Sequence, residues 1–191
     1  MTHALGRVAA CCVLAAMGAR AYAVVAASDT VDYYSIRGTS ENDLRREMSA
    51  KGPIGTGGRF DAFTRWNIRW RYSYRQAGGL CRIDAVTTDV TVTMTLPRWD
   101  DESAAPDRLQ KRWREYVTAL TTHENGHRQN GLDAAHEIDR RIAALPAQAN
   151  CSALGAAANA LGDEIIRNHK QRDLDYDRTT GHGRTQGARF P

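Results

Sequence analysis

From Arg65 to Arg75 apolar and polar residues alternate. Trp66, Ile68, Trp70, Tyr72 and Tyr74 fall on one side, and Arg65, Asn67, Arg69, Arg71, Ser73 and Arg75 on the other. A period of two marks a half-buried antiparallel strand, here starting at about Phe63. That periodicity outweighs the other reading of arginines interleaved with aromatics, a stacking surface for nucleic acid. Gln76 to Leu80 contains Gly78-Gly79 and reads as a hairpin loop. The return strand sets Val86, Val90, Val92, Met94 and Leu96 on one face and Thr87, Thr91, Thr93 and Thr95 on the other, and Pro97 is expected to end it. Upstream, Val31 to Arg37 reads as a first strand. Ser40 with Asp43 resembles a capping box that opens a short helix to about Ala50. Lys51 to Gly58 is a Gly-rich loop without the order of a phosphate-binding loop.

After an acidic, Pro-containing linker from Trp99 to Asp107 the period changes. Leu109, Trp113, Val117, Leu120, Leu132, Ile138 and Ile142 recur at roughly helical spacing. They predict a long helix from Arg108 to about Leu145, stopped by Pro146, with Gly131 a candidate bend or break. Leu154, Ala158, Leu161, Ile165 and Ile166 predict a second helix from Cys151 to about Asp173. Tyr176 to Pro191 is Gly-rich and reads as an irregular tail. The order predicts an α+β fold: a small antiparallel sheet packed on a long helix and a second helix.

The chain's 191 residues suit one domain. Its start belongs to no fold. Arg7, the apolar stretch Val8 to Gly18 and the small-x-small site Ala21-Tyr22-Ala23 read as a secretory signal peptide over residues 1–23, leaving a single domain at 24–191. One rival is a lipoprotein box at Val8-Ala9-Ala10-Cys11, which lies too early and has no apolar run before it; another is an uncleaved N-terminal anchor. Cleavage removes Arg7 and Arg20 and no acids, so the formal charge falls from +4 to +2. That excess is too small to argue for nucleic acid or an anionic membrane, and the mature chain has no span of its own. Cys11 and Cys12 leave with the signal. Cys81 and Cys151 remain, most simply as one disulfide in an exported, secreted or periplasmic protein. They are isolated and lack the C-x-x-C spacing of zinc ligands.

The long helix carries His123-Glu124-Asn125-Gly126-His127, an H-E-x-x-H motif. Residues four apart share a helix face, so His123 and His127 can bind one zinc ion. Glu124 is turned by about 100° from His123 and reaches a water beside the metal instead, as a general base. The bland alternative is two exposed polar residues on an amphipathic helix. Against it, Gly costs about 1 kcal/mol in a helix interior, and Gly126 signals that another backbone approaches closely.

A catalytic zinc needs three protein ligands. His136 lies nine residues beyond His127, on the opposite side of a continuous helix, and turns inward only if Gly131 ends it. The longer H-E-x-x-H-x-x-G-x-x-H pattern is absent, with Asn130 and Asp133 in its remaining positions. Glu164 and His169 on the second helix are five apart, so at most one points in. His182, between Gly181 and Gly183, is the preferred ligand because its backbone can come close to a metal; Asp177, Glu164 and His136 stay open.

The chain resembles the bacterial domain-of-unknown-function family described as predicted secreted zinc-dependent proteases. The resemblance rests on Trp66 to Trp70, Thr95-Leu96-Pro97, Leu120 through His127, Cys81 with Cys151, the tail from Tyr176 to Gly183, Gln186-Gly187-Ala188 and Phe190-Pro191. It implies an ordered tail and a zincin-like fold, and it raises His182 and Asp177 above the other candidates. The expected function is a secreted or periplasmic zinc metallopeptidase. His123, His127 and His182 hold Zn2+, and Glu124 is the base. Tyr176 either donates to the developing oxyanion or packs, and Asp177 orients a ligand histidine. The substrate is a peptide or protein, with cell-wall peptides and their amide bonds as an alternative. The rival of another class is a zinc-stabilised envelope binding or assembly protein, whose site would be closed by four protein ligands.

Overall fold

The computed structural model describes residues 25–55 and 57–190. The predicted signal peptide lies outside them. In chain order the elements are β1 (Val25–Ile36), α1 (Glu41–Lys51), the short pair β2 (Ile54–Gly55) and β3 (Gly58–Arg59), β4 (Phe63–Ala77), β5 (Leu80–Trp99), α2 (Asp107–Ala143) and α3 (Cys151–Thr180), with 3-10 turns at Glu102–Ala104 and Arg184–Gln186. The fold is α+β, as expected. Ser40 caps α1 by accepting from the Asp43 N–H at 3.2 Å.

The main sheet has the order β1–β5–β4. Its hairpin, β4 with β5, is antiparallel and turns at Gly78-Gly79, both at positive φ. The sheet is not wholly antiparallel: β1 runs parallel to β5, from Val25 opposite Thr88 to Ile36 opposite Trp99. Helix α1 and the β2–β3 pair carry the chain past the gap between β1 and β4, and the hairpin then returns β5 into that gap along the direction of β1. An alternating pattern says which face is buried and nothing about the direction of a neighbour. Strand β1 also starts six residues before the expected Val31, because its side chains there are mostly exposed and leave no hydrophobic signal. Pro97 does not end β5. Strand β4 has run out by then, at Phe63 opposite Thr95, so Pro97 sits where β5 has one neighbour instead of two.

Helix α2 lies along the inner face of the sheet and joins two apolar clusters. Leu109, Trp113, Tyr116 and Leu120 meet Ile36, Leu44, Met48, Met94, Leu96 and Trp99 at one end. Ala134, Ala135, Ile138 and Ile142 meet Ile68, Val90, Val92 and, on α3, Ala158 and Ile165 at the other. Between them the buried face turns polar, at His123, Glu124 and His127. The helix is continuous through Gly131, where the Trp66 side chain packs so closely that a Cβ would lie 2.6 Å from its ring. Trp70 sits in the same way on Gly162 of α3, and the Tyr74 hydroxyl would lie 2.4 Å from a Cβ on Gly155 of the same helix. Helix α3 itself is longer than the pattern indicated, because Leu174 to Thr180 have no apolar repeat to mark them.

Cys81 and Cys151 form the expected disulfide, 70 residues apart in sequence. It fixes the start of α3 to the hairpin beside a two-way backbone bridge between Cys81 and Gln148, at 2.8 and 2.9 Å. On chain-entropy grounds such a closure contributes about 4 kcal/mol. None of the described helices is long and apolar enough to cross a membrane.

A second buried acid on α2 makes stability pH-dependent. Asp139 is 5 % exposed and accepts from Thr88 Oγ1 at 3.3 Å. Burial raises its pKa above the ordinary carboxyl value, against the opposing effects of Thr88, His136 and Arg140. The folded state therefore holds this proton to higher pH than the unfolded chain does. The resulting stability is complete below the unfolded pKa and is lost as pH rises through the folded one. Asp139→Asn is neutral throughout, so its Tm should exceed that of the unaltered protein at about pH 7 and match it below about pH 3. Thermal melts at both pH values check this; a lower Tm for the variant at neutral pH would contradict it.

Candidate metal centre

Three elements converge at the polar break in α2. Helix α2 supplies His123 and His127 from successive turns. The last turns of α3, lying against α2, supply Asp173 and Asp177. The turn after α3 supplies His182 and Gln186. Asp177 Oδ1 lies 3.0 Å from Nε2 of His123 and 3.0 Å from Nε2 of His127, and the two Nε2 atoms are 3.3 Å apart. This is a group able to hold a metal ion, its three ligand atoms all within 4.8 Å of one another.

The other nitrogen of each ring is anchored. His127 Nδ1–H donates to Asp173 Oδ1 at 2.9 Å, and His123 Nδ1–H to Gln186 Oε1 at 2.9 Å. Asp173 is in turn fixed by the Trp66 indole N–H at 2.7 Å and by Asn130 Nδ2 at 2.8 Å. Both imidazoles thus turn Nε2 toward Asp177. Burial opposes charge on His127, but the carboxylates of Asp173 and Asp177 outweigh it and push its pKa up to about 10. Burial works against the Asp177 carboxylate as well, yet His123, His127 and His182 hold its pKa far below the ordinary range.

Glu124 is 4 % exposed, and its Oε2 accepts from Thr64 Oγ1 of β4 at 2.7 Å. Burial raises its pKa, with Thr64, His127 and His123 opposing. It lines a cleft of about 1610 Å³, with Phe63, Thr64 and Trp66 on the β4 side and Lys170, Asp173 and Asp177 on the α3 side.

Tyr176 stacks on His123 with centroids 4.9 Å apart and planes at 12°, and meets His127 edge-on at 5.1 Å. Its hydroxyl accepts from Gln186 Nε2 at 2.9 Å. It is not among the residues lining the cleft; this geometry is that of packing. A Cβ on Gly126 would lie 2.4 Å from the Tyr176 hydroxyl. The close approach signalled by Gly126 is made by this ring and not by another backbone.

The structure places Asp177, rather than His182, as the third member of the cluster. Tyr176 to Thr180 are helical, so Asp177 faces α2 one turn beyond Asp173, whereas the chain leaves the helix at Gly181 in the left-handed conformation. His182 also has positive φ, 52°. Its side chain is 58 % exposed at the rim, with Nδ1 3.4 Å from Asp177 Oδ1 and its ring 5.4 Å from that of Phe60. The orienting carboxylate expected of Asp177 is supplied by Asp173. His136 is exposed, and Glu164 is exposed beside Arg141 at 3.9 Å. His169 is buried but committed to Asn130 at 2.7 Å and Glu137 at 3.1 Å. Sequence reasoning missed Asp173, Gln186 and Thr64. The spacing of Asp173 and Asp177, four residues apart, was the available signal once α3 is extended to Thr180.

Removing the anchor of His127 should loosen any metal ion that the cluster takes up. Asp173→Ala is expected to weaken binding of added Co2+ or Zn2+ by about 10–100-fold, and Asp173→Asn, which keeps an acceptor, by less. Competition against a chromophoric chelator measures both; unchanged affinity in Asp173→Ala would deny Asp173 this role.

No curated protein and no solved structure was found to match the chain. A family profile matches residues 31–183, the stretch that contains β4, β5, the cluster and His182, and its description is "Bacterial protein of unknown function (DUF922)". The chain belongs to this bacterial family of unknown function.

Proposed function

We propose that the protein is a zinc-dependent hydrolase of the cell envelope that cleaves peptide bonds. The observation that carries this reading is a buried carboxylate, Glu124, beside a cluster of two imidazoles and one carboxylate that opens on a cleft. Those donor types fit zinc as it is held in catalytic sites, and His123, His127 and Asp177 would hold it. When bound, zinc lowers the pKa of water toward neutrality and polarises a carbonyl. Glu124 takes the proton from the attacking water and passes it to the leaving amine. Thr64 holds the carboxylate that does so, and Asp173 and Gln186 keep both imidazoles in one tautomer. His182 at the rim can donate a hydrogen bond to the developing oxyanion. The disulfide and the predicted signal peptide are consistent with an extracytoplasmic location.

A second reading is favoured by one distance. His182 Nδ1 stands 3.4 Å from the Asp177 oxygen, so a shift of this exposed rim side chain would bring it in as a fourth ligand. Four protein ligands would make a closed structural site and a binding or assembly protein.

Glu124→Gln separates the two. It should keep about one zinc per chain, as a catalytic site requires, and lose hydrolysis by about 10²–10⁴-fold, read on a digested protein mixture and on purified cell wall in parallel. Full activity in this variant would remove Glu124 from the mechanism. X-ray absorption showing four protein ligands, together with no hydrolysis by the unaltered protein, would establish the closed site instead.

A further inference from the structure

Beyond His182 the cleft carries arginines that no acid among the described residues answers. Arg59, Arg65, Arg184 and Arg189 all line it. Among the described residues none of the four has a carboxylate partner. Arg59 donates to the Gly52 carbonyl. Arg65 donates to the Ile54 carbonyl at 3.1 Å, with its guanidinium 5.4 Å from the Phe63 ring. Arg189 Nε donates to the Arg184 carbonyl at 3.0 Å. Backbone carbonyls and a ring face position a guanidinium without neutralising it. Arg45, in the same cleft, shows the contrast: its charge is taken up by Asp61.

This lobe is continuous with the metal cluster. Asp177 contacts His182 at 3.4 Å, the His182 ring lies 5.4 Å from Phe60, and Phe60 stacks on Phe63 at 5.9 Å, under Arg65. Trp70, Ile166 and Leu174 line the cleft as well, and Arg178, another of its cations, is paired with Asp175 at 2.8 Å.

We infer that the Arg59–Arg65–Arg184–Arg189 lobe is a subsite for a carboxylate, so that the site takes acidic peptides, held with an Asp or Glu side chain or a free C-terminal carboxylate on the His182 side. The inference rests on the hydrolase reading for its substrate. The physical ground is that guanidinium forks match carboxylates bidentately and that several cations in one cleft concentrate anions. The four arginines are exposed, so the preference is salt-sensitive.

The test uses zinc-loaded Glu124→Gln, which retains the cleft, and fluorescent peptide pools. One pool contains Asp and Glu; its counterpart has Asn and Gln at the same positions; each is made as the free acid and as the C-terminal amide. Anisotropy should show the acidic pool bound about tenfold tighter or more, an interval set by the arithmetic of affinity. The advantage should shrink between about 50 mM and about 300 mM salt and in the added double substitution Arg65→Gln with Arg184→Gln. A preference confined to free acids assigns the subsite to a chain terminus; one that persists in the amides assigns it to side chains. Equal binding of the two pools, no binding of either, or a preference untouched by the double substitution at unchanged zinc content and Tm would overturn the subsite. The same pools with the unaltered protein separate the two ideas. Cleavage without acidic preference overturns the subsite and leaves the hydrolase. Acidic binding without cleavage leaves the subsite and overturns the hydrolase.

Discussion

Where an aromatic ring of β4 or α3 must come down onto a helix, the helix has no side chain to meet it. Trp66 occupies the space above Gly131, Trp70 that above Gly162, Tyr74 that above Gly155 and Tyr176 that above Gly126. Each glycine weakens its helix by about 1 kcal/mol relative to alanine. Gly131, Gly162 and Gly126 let a flat ring sit against the helix backbone, where its burial outweighs the loss, and Gly155 admits the Tyr74 hydroxyl. The consequence is distance. The helices lie close enough to β4 and to each other that a carboxylate, one of the shortest polar side chains, bridges from α3 to two imidazoles on α2.

The polar break in α2 survives burial because every group in it is answered. No buried side-chain nitrogen or oxygen among the described residues lacks a hydrogen-bond partner. Asp173 does most to achieve this: it ties Trp66 of β4, Asn130 and His127 of α2 to its own helix α3. Through Asn130 the same network reaches the buried His169 and Glu137. Fold and site share these bonds, so the strand that anchors the core, β4, also holds Glu124 through Thr64.

Much of this was legible in the sequence, and the reasons for the rest are specific. Periodicity gave β4, β5 and α2 because each has one buried face. It gave little of β1, whose partner is found through backbone bonds alone, and it stopped α3 short at Asp173 because the last turns face a polar site instead of a core. That shortening had a price in the site. With Tyr176 to Thr180 taken as irregular, the helical spacing of Asp173 and Asp177 was hidden and His182 looked the better ligand. His123, Glu124 and His127 were visible because a short motif fixes them on one helix; Thr64 and Gln186 were not, since only tertiary structure brings them 60 or more residues across the sequence.

Helix α3 is fastened at its two ends by unlike chemistry. Cys151 at its first residue is joined to Cys81 by a covalent bond, and Asp177 near its last turn is held by imidazoles. Their separation of 26 positions in sequence spans about 39 Å of helix. The first fastening responds to thiol redox conditions and the second to protons, and they lie too far apart to act on each other directly. Opening one releases its own end of the splint, so the oxidation state of the chain and the protonation of its imidazole cluster are separate variables.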